Sequence, residues 1–112
     1  MKRLILAFLY SIHGLRAAWA DERAFREEVI LSAILVPAAL YLAPDKISLV
    51  LMIGSLLLVM ALELMTTAIE AAIDRIGSEI HPLAKKAKDA ASASVLIALV
   101  NAGFVWCVIL FG

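Results

Sequence analysis

The sequence predicts an all-α membrane protein with three transmembrane helices and an amphipathic surface helix at its N-terminus. Hydrophobic residues make up 64% of the 112 residues, above the roughly 45–50% that is typical of soluble domains. The mean hydropathy is +1.00, and the apolar residues are concentrated in runs long enough to enter a bilayer. The formal net charge is zero, so nothing indicates a nucleic-acid partner. These observations predict a single small membrane domain over residues 1–112.

Residues 1–28 are predicted to form the surface helix, which would lie on the inner leaflet with its charged side chains toward water. The apolar residues predicted to face lipid are Leu4, Phe8, Leu15 and Trp19. A secretory signal is the alternative, because Ala18-Trp19-Ala20 resembles an A-x-A cleavage site. Arg16 lies between the apolar stretch and that site, which favours the surface helix.

Three apolar segments are predicted to span the membrane: residues 29–43, 47–69 and 90–111. The first is short for the roughly 20 residues of a crossing, so it needs its flank from Phe25 onward. Residues 43–46 form the tight turn between the first two spans. The second helix is predicted to continue into the cytoplasm as far as Ile76, and Pro82 marks the start of the next helix.

The basic residues favour one orientation. Nearly all of them precede the first span or lie between the second and third, and only Lys46 lies elsewhere. The positive-inside rule therefore places the N-terminal segment and the second loop in the cytoplasm. We expect both charged regions to meet on that side of the membrane.

An acidic stripe on the second span is the strongest functional signal. Glu70 and Asp74 each lie within about 20° of Glu63 on a helical wheel, and Thr66 flanks them. Carboxylates inside membrane helices are costly and mark functional sites. A desolvated Glu63 is also a better base for a hydroxyl than an exposed carboxylate.

The motifs that the sequence lacks narrow the chemistry. None of its five glycines builds a phosphate-binding loop or a dinucleotide-binding turn. If the chain handles phosphate, it needs Mg²⁺ on carboxylates, which suits a site with one or two acidic ligands and substrate phosphates. The available acidic ligands are Glu22, Glu70 and Asp74, and the available counter-charges are Lys88 and Arg3.

Two blocks of the sequence resemble the small prokaryotic diacylglycerol kinases of the Gram-negative type. One block runs from Glu63 through Glu70, Asp74 and the Arg-Ile-Gly-Ser-Glu-Ile-His stretch to Ala87-Lys88-Asp89. The other is Gly14-Leu-Arg-Ala-Ala-Trp19 with Glu22 and Ala24-Phe-Arg-Glu-Glu28. The resemblance implies a homotrimer in the bacterial inner membrane. It also implies Mg²⁺-dependent transfer of the γ-phosphoryl group of ATP to diacylglycerol, giving phosphatidic acid.

The resemblance also implies roles for individual residues. Glu63 matches the family's general base, and Glu22 and Glu70 match its Mg²⁺ ligands. ATP contacts are implied for Arg3, Tyr10, Glu22, Glu70, Glu79, His81, Lys88 and Asp89. Lipid contacts are implied for Arg3, Arg16, Trp19, Glu28, Tyr41, Glu63, Ser92 and Trp106. Thr66 and Asp74 are supporting residues.

Thr66 departs from the family motif, which reads Glu-x-x-Asn. An Asn amide both donates and accepts through separate atoms, whereas Thr offers one shorter hydroxyl. The departure predicts an altered turnover rate or lipid preference.

Two other functions fit parts of the pattern. A polyprenol acceptor such as undecaprenol would make the chain a kinase of the wider family, although the Arg-Ile-Gly-Ser-Glu-Ile-His stretch favours the diacylglycerol type. A small proton-coupled multidrug exporter would use one membrane carboxylate. The exporter interpretation leaves Glu22, Glu70, Asp74 and the Lys88-Asp89 pair unexplained.

Overall fold

The computed structural model describes residues 1–77 and 81–112, and every regular element within those ranges is an α-helix. The four helices are α1 (Lys2–Asp21), α2 (Arg23–Leu42), α3 (Lys46–Ile76) and α4 (Pro82–Phe111). The predicted break between the first two spans covers residues 43–45, with Lys46 already in α3, and the predicted helix end at Gly77 and helix start at Pro82 are confirmed. The helix that contains the predicted third span begins at Pro82, and residues 82–89 add two turns before that span.

Local sequence explains where α3 and α4 begin. The Asp45 carboxylate accepts the Ser48 backbone N–H at 2.7 Å and caps α3, and this hydrogen bond holds the pKa of Asp45 below its usual range. The His81 ring Nδ1 accepts the Leu83 N–H at 3.1 Å, and Pro82 occupies the first turn of α4, where a missing N–H costs little.

The N-terminal region differs from the predicted single helix over residues 1–28. A break at Glu22, whose backbone is extended (φ −112°, ψ 106°), divides it into α1 and the first turns of α2. Arg23 to Glu28 therefore continue directly into the helix of the first predicted span. Glu22 is not a helix-breaking residue type, so its identity is no local signal of this bend.

Two helices, α3 and α4, are long and apolar enough to cross a membrane. The charges of Arg26, Glu27 and Glu28 leave α2 with a shorter uniformly apolar part, so the third crossing remains a prediction. Most large apolar side chains of the chain are exposed. Such a surface belongs in lipid or against other protein.

Three polar contacts, which we call rungs, join antiparallel α3 and α4 at successive levels. Lys88 Nζ contacts Asp74 Oδ1 at 2.8 Å, Thr66 Oγ1 donates to the Ala91 carbonyl at 3.2 Å, and Trp106 Nε1 donates to the Met52 carbonyl at 3.2 Å. Between them pack the buried residues Met52, Leu56, Val59, Ala91, Val95 and Ala98. The rungs fix the register of this helix pair.

The contact face of α4 does not coincide with the row of small residues along this helix. Ala90, Ser94, Ala98 and Ala102 recur every four residues, yet only Ala98 of these is buried. Ala91 and Val95 complete the buried face. The spacing of small residues alone does not decide which face of α4 packs against α3. The branched side chain of Val95 therefore also lies in this interface.

Candidate active site

An acidic cavity of about 690 Å³ lies between α1 and α3. Its carboxylates come from Asp21 and Glu22 at the end of α1 and from Glu70 and Asp74 on α3. Gly14, Ala17 and Ala18 form its α1 wall, and their small size leaves room beside the carboxylates. The structure thus brings together Glu22 and Glu70, the two residues predicted to hold Mg²⁺.

The number of carboxylates that Glu22 and Glu70 provide suits Mg²⁺. No group of three or more His, Cys, Asp or Glu side chains in the described ranges is arranged to hold a metal ion by protein atoms alone. Mg²⁺ needs fewer, since it commonly binds through one or two carboxylates with substrate phosphates and water completing its shell. Glu22 and Glu70 on facing walls fit that requirement.

Lys88 lies at the edge of this acidic group. Its hydrogen bond to Asp74 and the nearby charge of Glu70 raise the pKa of Lys88, so it stays cationic at neutral pH. Lys85 and Asp89 form a separate exposed ion pair at 2.6 Å. Exposed ion pairs contribute little to stability. The Lys88–Asp74 and Lys85–Asp89 pairs can therefore exchange partners when an anion binds.

Glu63 does not line the acidic cavity, although its helix neighbours Leu64 and Thr67 do. It is half-buried and interacts with the Glu28 carboxyl of α2. One Glu28 oxygen, Oε2, is buried without a hydrogen-bond donor, because two carboxylates have no donor between them.

An apolar cavity of about 290 Å³ extends from Glu28 between α2, α3 and α4. Leu31, Leu35 and Ser32 line it from α2, and further lining residues are Leu56, Val59, Met60, Leu99, Ala102, Gly103 and Trp106. From Glu28 to Leu35 the cavity follows α2 for roughly 10 Å. The cavity is thus apolar along its length and carries a carboxyl group at one end.

The predicted lipid-contacting residues fall into separate places. Glu28 and Trp106 line the apolar cavity, while Arg16 and Trp19 line a third cavity of about 370 Å³ with Phe25. Ser92 is exposed, and Tyr41 is 88% exposed at the opposite end of α2. One chain therefore does not gather the whole predicted set.

The predicted ATP contacts are also divided. Arg3 and Tyr10 are exposed on the first half of α1, about 28 Å and 18 Å along the helix from Glu22. His81 caps α4, and Asp89 pairs with Lys85. Glu79 lies outside the described residues. Their roles remain predictions.

Thr66, which replaces the family's Asn, is buried and donates its hydroxyl to α4. The same Ala91 carbonyl also accepts the Ser94 hydroxyl at 2.6 Å. Thr66 thus joins two helices one turn from Glu63 in the described structure.

Sequence reasoning missed two contacts that shape the site. Arg26 Nη1 donates to the Trp19 and Ala20 carbonyls at 2.9 and 3.0 Å, connecting α2 to the end of α1. The approach of Glu28 to Glu63 was also missed. Both contacts join residues of different helices, and only the shared N-terminal block that contains Arg26 and Glu28 hinted at their importance.

The fold and the site define a small helical protein whose carboxylates are divided between a polar cavity and an apolar one. The family model for prokaryotic diacylglycerol kinase matches residues 9–110. The chain is 50% identical over 111 residues to a diacylglycerol kinase of Haemophilus influenzae, covering 99% of this chain and 94% of that one.

Two further relatives are similar over nearly the whole chain. The chain is 50% identical over 109 residues to the diacylglycerol kinase of Escherichia coli K12, covering 97% and 89% of the two chains. It is 42% identical over 112 residues to that of Pseudomonas aeruginosa, covering 100% and 91%. The chain belongs to the prokaryotic diacylglycerol kinase family. It is a membrane protein and a kinase.

Proposed function

We propose that this chain transfers the γ-phosphoryl group of ATP to the free hydroxyl of diacylglycerol, giving phosphatidic acid and ADP at the bacterial inner membrane. The observation that carries the proposal is the position of Glu63, which adjoins an apolar cavity through Glu28. The relatives from Haemophilus influenzae and Escherichia coli are named diacylglycerol kinases. The arrangement provides a base beside a lipid-compatible space.

The acidic cavity is the proposed nucleotide site. Its four carboxylates would repel a triphosphate in the absence of a divalent cation, because like charges at close range raise the free energy. Bound Mg²⁺ supplies charge neutralisation for the phosphates. Glu22 and Glu70 would hold it, and Lys88 would leave Asp74 to contact a phosphate oxygen.

The apolar cavity is the proposed site for one acyl chain. Its length of roughly 10 Å is less than the roughly 15 Å of half a bilayer core, so it holds the part of the chain nearest the glycerol. The glycerol hydroxyl then lies at the Glu28 end. Its oxygen attacks the γ-phosphorus as its proton passes to the Glu63 carboxylate, and the bond to ADP breaks.

Glu63 interacts with Glu28 at the end of the apolar cavity and does not line the acidic cavity of Glu22 and Glu70, which supports a homotrimer with shared sites. The exposed apolar surface of α3 and α4 offers contact area for neighbouring copies. In this arrangement a neighbour of the chain that provides Glu63 contributes Glu22 or Lys88. The N-terminal segment and the α3–α4 loop face the cytoplasm, where ATP is found.

The reaction is tested with radiolabelled ATP and purified protein in mixed micelles. We expect label in phosphatidic acid when diacylglycerol and Mg²⁺ are present, and none when Mg²⁺ is chelated. Label transferred to undecaprenol but not to diacylglycerol would identify a polyprenol kinase. Label in neither lipid would contradict the kinase proposal and return attention to the exporter alternative.

Shared sites are tested by mixing two inactive variants. Glu63→Gln subunits are combined with Glu22→Gln subunits, or with Lys88→Gln subunits, and subunit exchange is verified with two affinity tags. Recovery of a fraction of wild-type activity supports shared sites. No recovery in either mixture would place these groups within one chain.

A further inference from the structure

The bend between α1 and α2 controls where Glu22 points. Glu22 is the single extended residue between the two helices, and its side chain lines the acidic cavity. A change in the angle between α1 and α2 therefore moves Glu22 relative to Glu70, which is carried by α3. Some contact must fix that angle if both carboxylates are to reach one cation.

Arg26 provides such a contact. Its Nη1 reaches back across the bend to the carbonyls of Trp19 and Ala20. Carbonyls in the last turn of a helix lack intrahelical donors, and a cation is favourable at the negative end of a helix. Arg26 therefore satisfies two free acceptors and pairs with the helix dipole.

Few other contacts hold α1. Its one buried residue is Ala18, which is 3% exposed. Within residues 1–77 and 81–112, the Arg26 hydrogen bonds are the only side-chain hydrogen bonds between α1 and another helix. Without them, α1 would be held by the short connection at Glu22 and by its contacts around Ala18.

We propose that Arg26 is a positioning residue that fixes the angle of α1, so that Glu22 faces Glu70 across the acidic cavity. The expected effect of Arg26 on metal and nucleotide binding rests on the proposed function. Arg26 itself lies on α2 and is not among the lining residues of the acidic cavity. It acts through the end of α1.

Arg26→Gln, Arg26→Lys and Arg23→Gln form the test set. Arg23 is the matched control because it is three residues earlier on the same helix, and its side chain is 86% exposed and paired with Glu27 within α2. Arg26→Lys keeps a cation that can reach one carbonyl. All variants are made in the full chain and purified in detergent.

The first measurement does not depend on catalysis. Spin labels at His13→Cys on α1 and Ala72→Cys on α3, both exposed positions, are introduced with Cys107→Ser and diluted with unlabelled subunits. We expect Arg26→Gln to broaden the α1–α3 distance distribution, Arg26→Lys to broaden it less, and Arg23→Gln to leave it unchanged. An unchanged distribution in Arg26→Gln would overturn the proposal.

The second measurement is the affinity for Mn²⁺ with a non-hydrolysable ATP analogue, followed by the Mn²⁺ resonance signal. Loss of two hydrogen bonds from a charged donor predicts affinity weakened about tenfold in Arg26→Gln, with the KM for diacylglycerol unchanged. Equal weakening in Arg23→Gln, or wild-type affinity in Arg26→Gln, would refute the positioning role. If the wild type binds no Mn²⁺–nucleotide, the proposed function fails, while the distance measurement still decides whether Arg26 fixes α1.

Discussion

Thr66→Val removes the hydroxyl of the middle rung without changing the shape of the side chain. Thr66 is 8% exposed, so no water replaces the lost hydrogen bond. The Ala91 carbonyl keeps the Ser94 hydroxyl as a donor and is not left unsatisfied. The loss is therefore limited to the hydrogen bond itself.

The expected cost follows from that contact. Interhelical hydrogen bonds in membrane proteins contribute about 0.6 kcal/mol on average and at most about 1.7 kcal/mol. The 3.2 Å separation is longer than the roughly 2.5–3.0 Å that is usual for an O–H donor. We therefore expect Thr66→Val to lower the free energy of unfolding by about 0.5 kcal/mol. Because the Thr66 hydroxyl is directed at α4 rather than at a substrate, we expect kcat to fall less than about threefold, since about 1.4 kcal/mol corresponds to a tenfold change.

The assay is reversible unfolding in mixed micelles with increasing SDS. Thr66→Ser, which keeps the donor, and Thr67→Val, the same substitution at a position without a side-chain hydrogen bond in the described structure, are the controls. A loss above about 2 kcal/mol, or an equal loss in Thr67→Val, would refute the assignment of the rung. A complete loss of turnover at unchanged stability would show that the hydroxyl acts on substrate.

Four further outcomes are expected. Glu63→Gln abolishes phosphorylation while oligomer assembly and ATP binding persist, and activity within about tenfold of wild type would exclude its role as base. Glu70→Gln weakens Mg²⁺-dependent nucleotide binding as well as turnover, and an unchanged nucleotide affinity in a Mg²⁺ titration would contradict its role as ligand. Gly103→Leu fills the apolar cavity, since no heavy atom lies within 4 Å of an added Cβ. It should raise the KM for diacylglycerol at unchanged ATP affinity, whereas Gly54→Leu, equally unobstructed, should not; equal effects would exclude the cavity as the acyl site. The pKa of Asp45 is lowered from its ordinary value of 3.8 by the capped backbone N–H, so its contribution to stability is present above that value and is lost as pH falls through the lowered pKa. Asp45→Ala should therefore be less stable than wild type at pH 7 and converge with it at low pH in SDS titrations, and a pH-independent difference would contradict the cap.

Much of the helical framework could be predicted from local sequence. The long apolar run, Gly77 and Pro82 set the ends of α3 and α4, because Gly and Pro act through their own backbone preferences. The pairing of Glu22 with Glu70 was expected from the family resemblance, in which each of the two motif blocks contains one of these residues.

The rest depends on contacts between helices. The stripe of Glu63, Glu70 and Asp74 is nearly straight on a helical wheel, yet α1 covers one part of it and α2 another, so two cavities form. The bend at Glu22 is held by Arg26 from the following helix, and no local propensity reports such a contact. Which face of α4 becomes buried likewise depends on the side chains that α3 presents to it.

The three rungs specify the register of α3 and α4 more than once. Sliding one helix past the other by a turn, about 5.4 Å, would separate all three pairs together, whereas removing one pair leaves two that still specify the alignment. Single substitutions at Asp74, Thr66 or Trp106 should then be absorbed, and combined substitutions should cost more than their sum. The position of Glu63 on α3 relative to Lys88 on α4 should therefore withstand a single substitution at any one rung, including Thr at the family's Asn position.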